Sequence, residues 1–317
     1  MNIQRIREKL EGRQISIYFA AMIIGAIVAL QVPSATAIEA GINPALALML
    51  LVTFLQIPIT DLGQAITRGR FMLALLTANF IVIPLLVAAL VPFLPNDPMV
   101  RMAVLLVLLA PCIDYVVTFS HLGRADARLL LAATPVLLIV QMLLLPIYLG
   151  VFLGRNANDL IRVGPFVHAF IWLIAFPLAL AAVVQFWGAR SRRGEQFSTV
   201  LGLLSVPATA GVLFIVIAAV APQLGPATNT ALQVVPIYIA FAVLAPLAGW
   251  LVGRVFQLDG PARRSVAFSA ATRNSLVVLP LAFVVPDGVP VLPALIITQT
   301  LVELISELVY VRVIRKM

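Results

Sequence analysis

Long apolar stretches separated by short polar loops run through the whole chain, so hydrophobic length is the dominant pattern. An α-helix needs about 20 consecutive apolar residues to cross the hydrocarbon core of a bilayer. The loops are too short to hold a soluble domain, so we expect a single transmembrane domain over residues 1–317. The pattern predicts ten membrane spans, at residues 15–33, 41–60, 70–93, 99–121, 128–152, 165–187, 197–222, 229–253, 263–285 and 289–311.

These spans divide into two groups of five, residues 15–152 and 165–311. Because each group holds an odd number of helices, the second group is expected to be inverted relative to the first. The predicted fold class is therefore all-α, a polytopic membrane protein of two inverted five-helix repeats. Secondary transporters commonly use this arrangement and place their sites at broken helices near the bilayer midplane. Spans 4 and 9 occupy matching places in the two repeats.

Composition agrees with a membrane protein, since 62% of the residues are hydrophobic and 11% are charged. A soluble domain carries about 25% charged residues. The single cysteine excludes an internal disulfide, and the two histidines lie too far apart in sequence for a Cys/His zinc motif. We found no phosphate-binding loop, catalytic triad or metalloprotease motif in the sequence. We therefore expect neither an enzyme nor a bound cofactor or metal.

Lysine and arginine residues concentrate on one side of the predicted membrane. With the N-terminus in the cytoplasm, only Arg101, Arg155 and Arg162 fall in external loops, and Arg273 falls inside a span. This bias predicts a multi-pass protein of the inner cell membrane with both termini cytoplasmic. The basic N-terminus is expected to precede an uncleaved first helix. The net charge of +8 then reflects contact with an anionic leaflet and not with nucleic acid, since basic patches with interleaved aromatics are missing.

The candidate chemistry lies in the two matched spans. In span 4, "APCIDYVVTFSH", Pro111 removes a backbone donor and predicts a helix break beside Cys112. Span 9, "FSAATRNSLVVLP", contains a polar cluster, and Pro280 is expected to break that helix. If the two broken helices cross, their freed polar groups enclose a small substrate site at the midplane. The candidate ligands in span 9 are Ser269, Thr272, Arg273 and Asn274.

Asp114 and Arg273 are costly in a membrane, because a charge at a helix centre costs about 2.5–3.5 kcal/mol. One hypothesis is a structural ion pair that joins the crossed helices. The other is functional, with Asp114 carrying a proton and Arg273 attracting an anion. Glu303, in span 10, is a further candidate for proton coupling. Glu307, one helical turn later, shares a face with the same pathway or meets the cytoplasmic interface.

Several short motifs resemble a known family. A proline and cysteine in span 4 followed by "HLGRAD", the segment "ATRNSLVVLPLAF" at Ala271–Phe283 and "LVEL" at Leu301–Leu304 are similar to the arsenite permeases. These permeases belong with the bile acid:sodium symporters in one superfamily. The resemblance covers the span order of nearly the whole chain. It implies a ten-span fold with a panel domain and a core domain, in which broken helices 4 and 9 cross.

The resemblance also implies roles for individual residues. In arsenite permeases the span-4 cysteine, here Cys112, is the residue tied to transport, and a soft thiolate suits thiophilic As(III). The chain departs from that pattern at Leu276, where the permeases have a glutamate, and at Arg273, where they have an asparagine. The sodium ligands of the symporter branch fall on Val116, Val117, Ser269 and Arg273, so we expect no sodium coupling.

The favoured function is a secondary transporter that exports arsenite or a related metalloid by alternating access, driven by inward proton movement. Its expected partners are a small-molecule substrate, protons and the lipid bilayer. One alternative is an organic-anion transporter of the bile acid symporter type, with Arg273 as the anion anchor. The other alternative is a membrane sensor that has lost transport.

Overall fold

A computed structural model of the chain describes residues 9–10, 12–31, 38, 40–56, 68–113, 115–154, 171–220, 227–285 and 288–317. Within these ranges the regular structure is helical, apart from one isolated β-bridge. This confirms the all-α prediction. In chain order the helices are α1 Gln14–Gln31, α2 Ile42–Phe54, α3 Gly69–Phe93, α4 Pro98–Leu108, α5 Val116–Leu122, α6 Ala127–Leu153, α7 Phe176–Gly188, α8 Arg192–Gly202, α9 Ser205–Val220, α10 Thr228–Val255, α11 Gly260–Ala271, α12 Ser275–Val284 and α13 Val291–Val313.

Helix length and composition support a membrane protein. Each predicted span overlaps at least one described helix. Among the described residues, five helical segments are long and apolar enough to cross a bilayer, namely Gly69–Phe93, Ala127–Leu153, Arg192–Ala219, Thr228–Val255 and Val291–Lys316. Several other apolar helices, such as α2 and α7, are shorter. Membrane-spanning helices are thus confirmed, while the full ten-span inverted repeat stays a prediction.

The chain forms two compact units, and each draws on both halves of the sequence. The first unit comprises Met1–Gln56 and Val163–Ala227. In it α9 packs along α1, and α2 packs against α7 and α9. A Cβ at Gly25 of α1 would lie 2.9 Å from the Phe214 carbonyl oxygen, so glycine permits the close approach of α1 and α9.

The second unit comprises Ile57–Arg162 and Thr228–Met317. Here α10 packs along α11 and α13, and α13 also contacts α4 and α12. At Gly249 of α10 a Cβ would lie 2.8 Å from the Val266 carbonyl oxygen, so α10 and α11 approach backbone to backbone. Large apolar side chains such as Leu85 of α3 and Val151 of α6 are exposed, as expected for surfaces that face lipid.

An aspartate N-cap with a proline in the first turn begins each of the two helices that lead into the polar segments of the second unit. Asp97 caps α4 and accepts from the Met99 N–H at 2.7 Å, and a proline follows the cap. Asp259 caps α11 and accepts from the Ala262 N–H at 2.8 Å, again with a proline in the first turn. An aspartate cap satisfies free N–H groups and complements the helix dipole. The start of each helix is therefore set locally.

Both matched spans are broken. Span 4 divides into α4 and α5 on either side of Pro111, as predicted, and span 9 divides into α11 and α12. The second break lies at Thr272–Asn274 and not at Pro280, which falls inside α12. Thr272 leaves the helix with φ −96° and ψ 128°. The prediction for Pro280 was wrong because membrane helices tolerate an interior proline where its neighbours satisfy the freed backbone.

Candidate substrate and coupling site

The two helix breaks bond directly to each other through their backbones. An isolated antiparallel β-bridge joins them, centred on Pro111 and Arg273. The Cys112 N–H donates to the Thr272 carbonyl oxygen at 3.0 Å. On the other side of the bridge the Asn274 N–H donates to a carbonyl oxygen of the first break at 2.8 Å. Backbone groups freed by the breaks are thereby satisfied without water, as a membrane interior requires.

The Arg273 side chain is enclosed by oxygens. Its Nη2 donates to the Ser269 carbonyl oxygen at 2.5 Å, the Ala270 carbonyl oxygen at 2.8 Å and Asn79 Oδ1 at 2.9 Å. Its Nη1 donates to the Leu108 carbonyl oxygen at 3.4 Å. The whole residue is 0% exposed. The guanidinium therefore binds protein oxygens rather than solvent.

These partners give Arg273 a definite structural effect. Leu108 ends α4, and Ser269 and Ala270 lie in the last turn of α11. The last carbonyls of a helix have no intrahelical donor and carry the negative end of its dipole. One buried cation thus caps the C-terminal ends of both half-helices. Asp114, predicted as its ionic partner, lies outside the described residues.

The Glu303 carboxylate lies against the second break and accepts three hydrogen bonds. The Arg273 backbone N–H donates to Oε2 at 2.7 Å, and Gln299 Nε2 donates to the same oxygen at 2.6 Å. The Tyr115 hydroxyl is 2.5 Å from Oε1 and 3.2 Å from the Arg273 carbonyl oxygen, so these two acceptors share its one hydrogen. Multiple donors of this kind stabilise an ionised carboxylate where water is absent. The structure therefore brings α13 into contact with the crossing through Glu303.

Glu307 lies one turn further along α13 and is also fully buried. Its Oε1 is 2.5 Å from the hydroxyl of Thr272, which is itself 2.7 Å from the Phe268 carbonyl oxygen. Its Oε2 has no hydrogen-bond partner among the described residues. The two carboxyl groups of α13 therefore have different surroundings, with three donors around one and a single hydroxyl beside the other.

Cys112 and the start of α12 form the part of the crossing best suited to a ligand. Cys112 is 1% exposed and is not in a disulfide. Asn274 caps α12, since its Oδ1 accepts from the Val277 N–H at 3.4 Å. The Asn274 Nδ2 and the Ser275 Oγ are both buried without a partner in the described part of the chain. Two polar atoms that lack partners beside a helix N-terminus can bind an oxygen-bearing solute.

The structure brings together most of the site residues that the sequence nominated. Cys112, Thr272, Arg273 and Asn274 meet at the bridge, and Glu303 bonds to it. Ser269 lies behind the crossing, where its Oγ accepts from Asn79 Nδ2 at 2.9 Å. Its position favours support of Arg273 over direct contact with substrate.

Four further residues belong to this network, namely Asn79, Tyr115, Gln299 and Glu307. A sequence signal existed for two of them, because Gln299, Glu303 and Glu307 follow the four-residue spacing of one helix face. Asn79 and Tyr115 give no such spacing signal, although Tyr115 follows Asp114 in the polar segment of span 4. Only the fold reveals that Asn79 contacts the guanidinium of Arg273.

Comparison with known families identifies the family of the chain. The model of the Sodium Bile acid symporter family matches residues 43–226, more than half of the chain. No curated protein is significantly similar to the sequence. The matched region includes the first helix break with Cys112, while the second break and α13 follow it.

Proposed function

The chain belongs to the sodium bile acid symporter family, a family of membrane transporters, and from that premise we propose that it exports arsenite or a related metalloid by alternating access. A transporter of this family acts on a small-molecule substrate. In the proposed cycle the helix crossing of the second unit holds the solute, and inward proton movement drives its export.

Cys112 is the observation that carries this proposal. It is held at the bridge between two broken helices, buried, with its N–H fixed by Thr272. A soft thiolate sulfur is the side-chain ligand that best matches As(III). When a cysteine thiol replaces one hydroxyl of As(OH)3, an arsenic–sulfur bond forms and the thiol proton leaves with that hydroxyl as water. The remaining hydroxyls can accept from the buried Asn274 Nδ2.

The surroundings of Arg273 support a transporter without sodium coupling. The oxygens that converge at this point, three carbonyls and an amide, are the kind of ligand that binds a hard cation. The guanidinium already occupies them and stays charged. Val116 and Val117, at the start of α5, supply no side-chain oxygen. The Arg273 guanidinium, a fixed cation, therefore occupies the oxygens that an exchangeable sodium ion would need.

The same geometry weakens the organic-anion alternative. An anchor for an anionic substrate must present its charge to the substrate. The Arg273 guanidinium is completely buried, Nη1 and Nη2 donate to protein oxygens, and Nε alone has no partner among the described residues. A carboxylate could replace these partners only if the ends of α4 and α11 lost their cap. We therefore favour a neutral, thiol-binding solute.

Transport into everted membrane vesicles tests the proposal, because export from the cell becomes uptake. With an acidic lumen, protons leave as substrate enters, so we expect accumulation of arsenite and not of carboxylate anions. Cys112→Ser keeps the size of the side chain and removes the soft ligand. We expect it to reduce arsenite uptake by at least about 100-fold, since even outer-sphere changes at such sites cost 10–100-fold.

Ser120→Ala is the matched control, because Ser120 is a buried residue of α5 whose hydroxyl bonds only locally, to the Val117 carbonyl oxygen. It should leave uptake unchanged. Full arsenite transport by Cys112→Ser would reduce the thiol to a packing group. Binding of arsenite without flux would indicate a sensor.

A further inference from the structure

The hydroxyl of Thr272 lies between two acceptors, which bears on the protonation state of Glu307. Its Oγ1 contacts two oxygens at hydrogen-bond distance, the Phe268 carbonyl at 2.7 Å and Glu307 Oε1 at 2.5 Å. A hydroxyl carries one hydrogen, and a carbonyl oxygen can only accept. The Thr272 hydrogen can fully serve only one of these oxygens, and if it serves Phe268 the contact with Glu307 needs a hydrogen from the carboxyl group. Both contacts are hydrogen bonds only if Glu307 is a neutral carboxylic acid.

Burial leads to the same conclusion. Glu307 is 0% exposed, and its Oε2 has no partner among the described residues. An ionised carboxylate with one oxygen unsatisfied in an apolar interior is strongly unfavourable, whereas the neutral acid is tolerated. Glu303, one turn away, has two N–H donors on Oε2 besides the shared Tyr115 hydroxyl, and so is better suited to the charged state.

The neighbouring charges also favour a neutral Glu307. Glu303 and Tyr310, on the same helix, act electrostatically on it. From the elements packed against α13, the charged or titratable groups at or near the crossing are Arg273, Tyr115, Cys112 and Tyr238. In the described part of the chain, the positive charge of Arg273 is balanced by Glu303. A second carboxylate would leave a net negative charge inside the membrane.

We propose that Glu307 is a proton-binding site and the group that carries the coupling proton. This rests on the proposed function, because it supplies the proton path of that transporter. In this assignment Glu307 is protonated in the buried state described here, and its proton passes to water when the transport cycle exposes the carboxyl group. The sequence had nominated Asp114 and Glu303 for this step.

A direct link joins this proton to the substrate segment. Glu307 bonds to the Thr272 side chain, and the Thr272 carbonyl oxygen accepts from the Cys112 N–H. Ionisation of Glu307 removes one of these bonds and places a negative charge beside the break. The state that binds a proton therefore differs from the ionised state at the segment that holds Cys112, and such differential contact is what coupling requires.

Infrared difference spectroscopy tests the proton site without any transport. In wild-type protein at neutral pH we expect the carbonyl stretch of a buried protonated carboxylic acid. Glu307→Gln should remove this band, while Glu303→Gln should keep it. Thr272→Val keeps the carboxyl group but removes its partner, so the band should shift. This variant preserves the test if Glu307→Gln does not fold. A band that is missing, or that disappears with Glu303→Gln instead, overturns the assignment.

Transport in everted vesicles tests the coupling. Glu307→Gln should retain arsenite exchange at equal pH and lose accumulation driven by an acidic lumen. Thr300→Val is the control, because Thr300 is a buried residue of α13 whose hydroxyl bonds only to its own helix. Thr300→Val should retain both the exchange at equal pH and the accumulation driven by an acidic lumen. Full gradient-driven accumulation by Glu307→Gln contradicts the proton site. Wild-type protein that moves no arsenite under any gradient contradicts the proposed function alone, since the infrared result stands independently.

Discussion

The two helix breaks have different causes. The first contains Pro111, whose missing N–H favours the end of α4, although Pro135 and Pro236 lie inside helices and show that proline alone does not force a break. The second, at Thr272–Asn274, contains no proline and depends on partners distant in sequence. Arg273 satisfies the carbonyls that α11 leaves free, and Glu303 accepts the Arg273 N–H. The comparison teaches that a local residue marks the first break and no proline marks the second, while backbone bonds between the two breaks hold both in the folded unit.

Removal of the charge at the second break should have the largest effect on stability. Arg273→Gln deprives the ends of α4 and α11 of their shared cap. Because each buried acceptor left unsatisfied costs about 1–3 kcal/mol, we expect a loss of about 3–5 kcal/mol in the free energy of unfolding. Denaturation of the detergent-solubilised protein, followed by circular dichroism, measures this change. Arg312→Gln is the control, since Arg312 caps the exposed end of α13 and should cost about 0.5 kcal/mol or less.

The double variant Asp114→Asn with Arg273→Gln sharpens this result. In an isolated structural ion pair, removal of both partners restores much of the stability that one removal costs. The described partners of the guanidinium are neutral oxygens, so we expect the double variant to be no more stable than Arg273→Gln. Recovery to wild-type stability would identify Asp114 as the ionic partner of Arg273 and show that an ion pair stabilises the second break.

A smaller effect is expected at the first break. Pro111→Ala adds a buried N–H and relaxes the unfolded chain, which together should cost about 1–2 kcal/mol. The break itself should persist, because the bridge bonds between Cys112 and Thr272 do not involve Pro111. The same denaturation assay gives the stability, and retained arsenite uptake shows that the break survives. Loss of uptake with increased helix content would mean that proline alone maintains it.

The smallest expected effect concerns sodium. Replacement of sodium by potassium at fixed pH should leave arsenite uptake unchanged, because the guanidinium of Arg273 occupies the carbonyl oxygens at the ends of the half-helices. Initial rates in the vesicle assay measure this. A large fall in rate would show that sodium binds elsewhere and that the two breaks do not share a fixed cation.

Part of the candidate site could be predicted from the sequence, and part could not. Arg273 was nominated because a charge in a membrane helix is costly, Cys112 because it lies beside a predicted break and matches the permease cysteine, and Glu303 as a carboxylate in span 10. The structure brings these three to one crossing. Asn79 was not nominated, since a lone asparagine in α3 gives no hint of its partner. Glu307 was noticed but left between two interpretations, because its burial depends on how α13 packs.

Local chemistry determined what the sequence alone could establish. Apolar length predicts membrane helices wherever the residues lie in the fold, and the missing N–H of Pro111 favours a break there. Pro280 gives the same local signal but lies inside α12, so the fold decides which proline ends a helix. The tertiary structure decided the position of the second break, the partners of Arg273 and the different surroundings of Glu303 and Glu307. Each of these depends on which distant groups satisfy a buried polar atom, and only packing brings those groups together.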